Sequence, residues 1–396
     1  ICQNSIPSQC NCNSVRSLFN GLILLQLANC NAFWRIYVHS KFALAKLSIL
    51  PVAVMCFALI GTLIGTFFAS SATASILETQ DALTRFADFY KQEWGETQRC
   101  KSSKLHRYTV CGNVLRNEGN APFVLHHDTP SKKVAVLVHG LSDSPFFMRE
   151  IANILFNEGY DVIVPLLPGH GLRDDEGAMS DSNLAERWQA HVDEVIALAD
   201  NMSDTLIVGG FSTGGALAVE QYLDASDNID GLMLFSGALA LSENAESMSR
   251  IWGIKWVAKI VDGSYITHGP NPFKYPNVAG FAGLELMDII EKIRDDFEDG
   301  KRIEVPLFAA HSQADATTPI HGVENLMENS AGPNTFFVID ASYALCHADL
   351  VVNTSMLHDM KFNKVMVNEN EECAVPKANP LFSTMSLMLK TYAQQF

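Results

Sequence analysis

Apolar residues come in two textures along this chain. The first is the short continuous run, in which successive positions are apolar rather than alternate ones. Lys133–Val138 (KVAVLV), Tyr160–Pro165, Thr205–Gly209, Gly231–Phe235, Val305–Ala310 and Thr335–Ile339 are of this kind. A strand with apolar side chains on both faces is buried on both faces, as in a parallel sheet covered by helices. Two earlier strands are expected at Arg107–Cys111 and Phe123–His127. The second texture has a helical period. It runs through Phe146–Glu158, stopped by Gly159, and through Asn183–Ala199. Strands alternating with helices predict a parallel sheet with helices on both faces.

One interval breaks that rhythm. About 70 residues separate Ser236 from Val305, where a crossover needs far fewer. It holds the aromatic-rich run Ile251–Val261, a Pro/Gly-rich stretch from Gly269 to Gly283, and a predicted helix at Leu284–Phe297. A cap over a substrate site, at about residues 237–300, is the expected reading, and its aromatic start suits the wall of an apolar pocket. The competing reading is an extra helical layer that only packs.

The N-terminal part differs. Leu47–Phe68 is a 22-residue stretch without a charge, long enough to cross a bilayer, which takes about 20 residues. Lys41 and Lys46 precede it, and no Lys or Arg follows until Arg85, which puts the later residues across the membrane. Ala72 and Ala74 offer a cleavage site, so residues 41–74 read as a signal peptide or an anchor associating with the membrane through 47–68. The expected location is periplasmic or extracellular. Residues 1–40 contain no methionine and read as a leader upstream of the natural start. Residues 75–104 read as a helical linker, with Phe86, Phe89 and Tyr90 at helical spacing.

Composition narrows the partners. With 396 residues, 48% of them hydrophobic, the chain can bury a large core. Its formal charge of −16 argues against nucleic acid. Beyond the apolar stretch four cysteines remain: Cys100, Cys111, Cys346 and Cys373. In an oxidising compartment Cys100–Cys111 and Cys346–Cys373 are candidate bridges, although four cysteines allow three connectivities, and free buried thiols are the alternative.

The candidate chemistry centres on Gly210-Phe211-Ser212-Thr213-Gly214-Gly215. It follows an apolar strand and opens a helix, which is the setting of a G-x-S-x-G nucleophile elbow. A serine needs a base, and the base needs an orienting group. On a sheet of this kind they follow in the order Ser, acid, His, each past the C-terminal end of a strand. Asp315 meets that requirement as the acid, after the strand Val305–Ala310, with Asp340 as the alternative. His347 meets it as the base, after Thr335–Ile339; His311 precedes the acid and His358 lies deeper in the next helix. The oxyanion donors should be the backbone N–H of Thr213, after the nucleophile, and of Leu141 in His139-Gly140-Leu141-Ser142-Asp143-Ser144-Pro145. His139 is expected to brace that loop. No H-E-x-x-H or C-x-x-C spacing occurs, so neither metal nor cofactor is expected.

Together HGLSDSP, LPGHG at Leu167–Gly171, GFSTGG, HSQAD with its following Thr-Pro, and the late His347 resemble the α/β-hydrolase superfamily. The similarity covers roughly residues 105–396 and is nearest to bacterial carboxylesterases and monoacylglycerol lipase-like enzymes. It implies an α/β-hydrolase fold with a cap after the sixth strand, and a serine hydrolase of small-molecule esters with a Ser212–Asp315–His347 triad. A serine aminopeptidase or amidase on the same fold, or a non-catalytic hydrolase-like binding domain, are the alternatives. Two departures stand out: Thr213 replaces the more familiar methionine or leucine, and Cys346 directly precedes the base.

Overall fold

The computed structural model describes residues 79–396, apart from 174–176, 252–253, 256–257, 259–268 and 276–279. The apolar stretch 47–68 and the leader 1–40 therefore lie outside the described residues, as do the beginning of the 75–104 segment and part of the expected cap. Among the described residues no helix is long and apolar enough to cross a membrane.

Among the described residues nine strands form one sheet: β1 (Gln98–Arg99), β2 (Arg107–Cys111), β3 (Phe123–Leu125), β4 (Lys133–Val138), β5 (Asp161–Val164), β6 (Thr205–Phe211), β7 (Gly231–Phe235), β8 (Leu307–Ser312) and β9 (Asn334–Ile339). Their order is β1-β2-β3-β5-β4-β6-β7-β8-β9. The first three join antiparallel, and every pairing from β5 to β9 is parallel. The labelled helices are α1 (residues 79–88), α2 (Arg149–Asn157), α3 (Leu184–Asp200), α4 (Thr213–Asp224), α5 (Glu243–Ser249), α6 (Gly280–Glu298), α7 (His321–Glu328), α8 (Thr354–Asp359) and α9 (Phe382–Ala393).

The continuous apolar runs arise because both sheet faces are covered. In β4, Val134, Val136 and Val138 face a core shared with α1, α3, α4 and α6. Ala135 and Leu137 face the opposite core, shared with α2 and α9. Leu232 and Leu234 divide from Met233 and Phe235 in the same way. This period-2 division keeps each face dry and fixes the register, since a one-residue slip would exchange the two sets.

Residues 79–88 and 91–94 are helical, in line with the expected helical segment, and they also contribute to the core: Phe86, Tyr90 and Trp94 are buried, with Tyr90 stacked on Trp94 at 4.5 Å between centroids. The Tyr90 hydroxyl accepts the Leu166 N–H at 3.0 Å, and Glu93 accepts the Gly169 N–H at 2.9 Å, so this segment holds the loop that follows β5. The helix expected inside the cap is longer, Gly280–Glu298, and its Ile289, Ile290 and Ile293 pack into the core beside α3 and α4. The stripe Leu286-Ile289-Ile290-Ile293 has the spacing of a helix lying on a core, which explains why α6 packs in the helical layer.

Candidate active site

The turn between β6 and α4 carries Ser212 at φ 54° and ψ −117°, a conformation that an L-residue adopts only under constraint. The constraint is visible. The Ser212 N–H donates to the Phe235 carbonyl at 3.0 Å, and the Ser212 carbonyl accepts the N–H groups of Gly215, Ala216 and Ala238 at 2.9, 3.2 and 3.0 Å. Gly210 and Gly214 permit the tight turn. A Cβ at either would run into the Val138 carbonyl oxygen at the end of β4. The glycines flanking the serine therefore allow β4, β6 and α4 to converge.

Three side chains meet there. His347 Nε2 lies 2.9 Å from Ser212 Oγ, and His347 Nδ1 lies 2.6 Å from Asp315 Oδ2. With Nδ1–H donating to the carboxylate, the Nε2 lone pair faces the serine hydroxyl. Asp315 Oδ1 accepts the N–H groups of Thr317 and Thr318 at 2.9 and 3.0 Å, and the Thr318 hydroxyl donates to Oδ2 at 3.1 Å. Burial pushes the Asp315 carboxyl up, but the adjacent imidazole and these hydrogen bonds outweigh it and hold the group below its ordinary value. Ser212 and Asp315 are buried, and the His347 side chain is 12% exposed, so its ring borders a water-accessible space.

Asp340 and His358 lie elsewhere, whereas His311 borders the acid, with Nε2 3.5 Å from Asp315 Oδ2. Asp340 is exposed and accepts the Ser342 N–H at 2.9 Å, capping a short turn. His311 is fully buried; its Nε2–H donates to the Thr318 carbonyl at 2.7 Å, and burial pushes the ring below its ordinary value. His358 is 88% exposed and pairs with Asp359.

Leu141 and Thr213 line the same cavity as Ser212 and His347, and among the described residues no hydrogen bond occupies either N–H. The loop carrying Leu141 is braced by His139. Its Nδ1–H donates to the Gly140 carbonyl at 2.8 Å, and its Nε2 accepts the Leu167 N–H at 3.0 Å. Both ring nitrogens are thereby committed. Burial and the neighbouring His170 keep the ring well below its ordinary value, so it stays neutral. The loop after β5, itself held by Tyr90 and Glu93, is thus tied to the loop carrying Leu141.

The cavity has a volume of about 980 Å³. Two of its walls differ in how far the sequence pointed to them: the first lies within the expected cap, and the second carried no clear signal. The first is Phe273–Tyr275, which clamps the Leu141 loop. The Tyr275 N–H donates to the Ser142 carbonyl at 2.9 Å, and Lys274 Nζ lies 2.9 Å from the buried Asp143 carboxylate. Phe273 stacks on Phe146 at 4.0 Å. The other is the segment 360–376, which contributes Met360, Phe362 and Met366. It is fastened by the Cys346–Cys373 disulfide; the second bridge is Cys100–Cys111. The cysteine count pointed to bridges, but only the fold brings Cys373 beside the residue preceding His347. Among the described residues, the group of potential metal ligands within reach of one another is Cys100, Cys111 and Glu118, and the bridge leaves no thiolate there.

A mostly parallel sheet, a serine elbow after β6, and an acid and a histidine after β8 and β9 give this chain the α/β-hydrolase fold. Residues 129–277 match a family model described as "Serine aminopeptidase, S33". The chain is similar to a thermostable monoacylglycerol lipase of Bacillus sp. (strain H-257), 30% identical over 115 residues. That match covers 29% of this chain and 44% of the lipase, so the chain spans under half the length of that relative. Among solved structures it is similar to a monoacylglycerol lipase of Paleococcus ferrophilus, with a TM-score of 0.49 and 17% identity over 69% of this chain and 99% of that one. It is also similar to a soluble variant of a monoglyceride lipase from Saccharomyces cerevisiae, with a TM-score of 0.49 and 11% identity over 76% of this chain and 94% of that one.

Proposed function

We propose that this protein is a serine hydrolase of carboxylic esters, acting on short to medium acyl chains or monoacylglycerol-like substrates. The observation that carries the reading is the unbroken chain Ser212 Oγ–His347 Nε2, His347 Nδ1–Asp315 Oδ2, at 2.9 and 2.6 Å, beside two N–H groups without internal partners. Similarity to a monoacylglycerol lipase supports the choice of esters. Ser212 Oγ attacks the ester carbonyl carbon as its proton passes to His347 Nε2. Asp315 stabilises the imidazolium, and the N–H groups of Leu141 and Thr213 receive the developing oxyanion. Collapse breaks the acyl–oxygen bond, and the proton on Nε2 leaves with the alcohol. Water, deprotonated by the same nitrogen, then attacks the acyl-enzyme and releases the acid.

A peptide-bond reading is favoured by one finding, the description of the matching family model. Turnover of p-nitrophenyl esters against aminoacyl-anilides separates the two. We expect esters to turn over, and labelling by a fluorophosphonate that is lost in Ser212→Ala. Anilide turnover with esters untouched refutes the ester reading; labelling unchanged in Ser212→Ala refutes the nucleophile. The two disulfides also suit an oxidising compartment, which together with the apolar stretch 47–68 supports an exported or membrane-tethered enzyme. Fractionation of cells expressing the full chain tests this, and cytoplasmic recovery with reduced thiols would refute it.

A further inference from the structure

Among the described residues three buried side-chain hydroxyls have no hydrogen-bond partner: Ser142, Thr213 and Ser236. A hydroxyl shut away from water without a partner costs free energy, so each such group calls for a reason. Ser142 and Thr213 both line the cavity that contains Ser212. Thr213 is the more informative of the two. It is fully buried and it immediately follows the nucleophile. An apolar side chain would fill that place without the desolvation cost. Its backbone N–H is also one of the two oxyanion donors assigned above, so N–H and O–H are presented by one residue at the start of α4.

We propose that the Thr213 hydroxyl is a third donor of the oxyanion hole, rotating to hydrogen-bond the carbonyl oxygen of the substrate as it becomes tetrahedral. The inference rests on the acyl-transfer reading. A threonine hydroxyl turns freely about its C–O bond and can aim its proton wherever an acceptor appears. The donor has no protein partner in the structure and gains an acceptor in the transition state, so its contribution falls on kcat rather than on KM. Ser142 carries the same signature next to Leu141, at φ 64°. It lies one residue beyond the assigned donor, whereas Thr213 is itself the donor residue.

The test compares wild type with Thr213→Val, which keeps the shape and removes the hydroxyl, and Thr213→Ser, which keeps the hydroxyl. The readings are kcat and KM on p-nitrophenyl butyrate, inhibition by an alkyl boronic acid that forms a tetrahedral adduct with the serine, and Tm. A full oxyanion donor is worth about 10²–10³ in kcat, so Thr213→Val should lose about 10- to 100-fold in kcat with KM nearly unchanged. Boronate affinity should fall in parallel, Thr213→Ser should retain most activity, and Tm of Thr213→Val should hold or rise because a buried unpaired hydroxyl has gone. A merely structural role would instead lower Tm and leave the boronate unaffected. An active wild type with an equally active Thr213→Val, or a loss of kcat without weaker boronate binding, overturns the third donor alone. A wild type that neither turns over esters nor binds the boronate overturns the acyl-transfer reading and this inference with it.

Discussion

Asp315→Asn is the substitution whose outcome the geometry most constrains. The two carboxylate oxygens have different surroundings. Oδ1 accepts two backbone N–H groups, from Thr317 and Thr318, so an asparagine must place its carbonyl oxygen there. Its NH₂ is then forced to the Oδ2 position, 2.6 Å from His347 Nδ1. A donor facing Nδ1 selects the tautomer with the proton on Nε2, so the base presents a proton to Ser212 where it should present a lone pair. The same tautomer error in serine proteases costs about 10⁴ in kcat, or about 5.4 kcal/mol of transition-state stabilisation. We expect a loss of that size in ester turnover, with KM little altered. Stability should change in a pH-dependent way. The Asp315 carboxyl is held below its ordinary value, so its contribution is present above the ordinary carboxylate range and lost as pH falls through its folded value. The variant should therefore show a flatter acid limb in denaturation profiles. Asp340→Asn, on an exposed turn, is the control and should be near wild type. Near-wild-type turnover in Asp315→Asn with a dead Asp340→Asn would refute the assignment.

Three further outcomes follow from packing and charge. Gly214→Ala should abolish ester turnover and lower Tm, because the added methyl meets the Val138 carbonyl at the convergence of β4 and α4; an active, stable variant would show that the elbow can relax. Asp349 is pushed up to about 6 by burial, so between its ordinary value of 3.8 and pH 6 the native state keeps a proton that the unfolded chain releases. Stability should fall as pH rises through that window, and Asp349→Asn, still able to accept the Lys377 N–H, should be more stable than wild type by about 2–3 kcal/mol at pH 8 in urea denaturation; no gain at pH 8 would contradict it. Phe86→Ala should cost about 3–5 kcal/mol, as for any fully buried phenylalanine, whereas a free linker would tolerate it without a change in Tm.

Much of the fold was legible because the sheet is buried on both faces. Five successive apolar residues in β7 leave little room for another reading, and the observed Gly231–Phe235 has the expected bounds. The site residues were legible for a related reason: a parallel sheet collects strand ends on one edge, so chain order and post-strand position nearly specify which Asp and His can reach Ser212. Ends of elements were less legible. The helix expected over Phe146–Glu158 divides into a tight turn at Pro145–Met148 and α2, since Pro145 permits a helical start but not a preceding hydrogen-bonded turn. The role of residues 79–94 was not legible, because an amphipathic helix reads alike whether it spaces two units or covers a core. Long-range polar pairs left no periodic trace: 131 positions separate Lys274 from Asp143, and only the fold joins them.

The Cys346–Cys373 bridge shows what such a long-range tie does to the site. The segment it closes is anchored at first by the buried Leu350, Val351, Val352, Met356 and Met360, but residues 361–373 are mostly polar and exposed, Val365 almost fully, so apolar burial alone gives that later part little hold on the protein. In the chain-entropy model a bridge across a separation of 27 residues offsets that deficit by about 3.5 kcal/mol. One end of the bridge is the residue before His347, and the other follows directly on the cavity-lining Glu371 and Glu372. The Asp349 carboxylate adds a second tie by accepting the Lys377 N–H at 2.9 Å. The wall of the cavity and the candidate base are therefore parts of one fastened unit. Whatever enters the cavity against Met360, Phe362 and Met366 meets a surface whose position is set by the same backbone that sets His347 against Ser212.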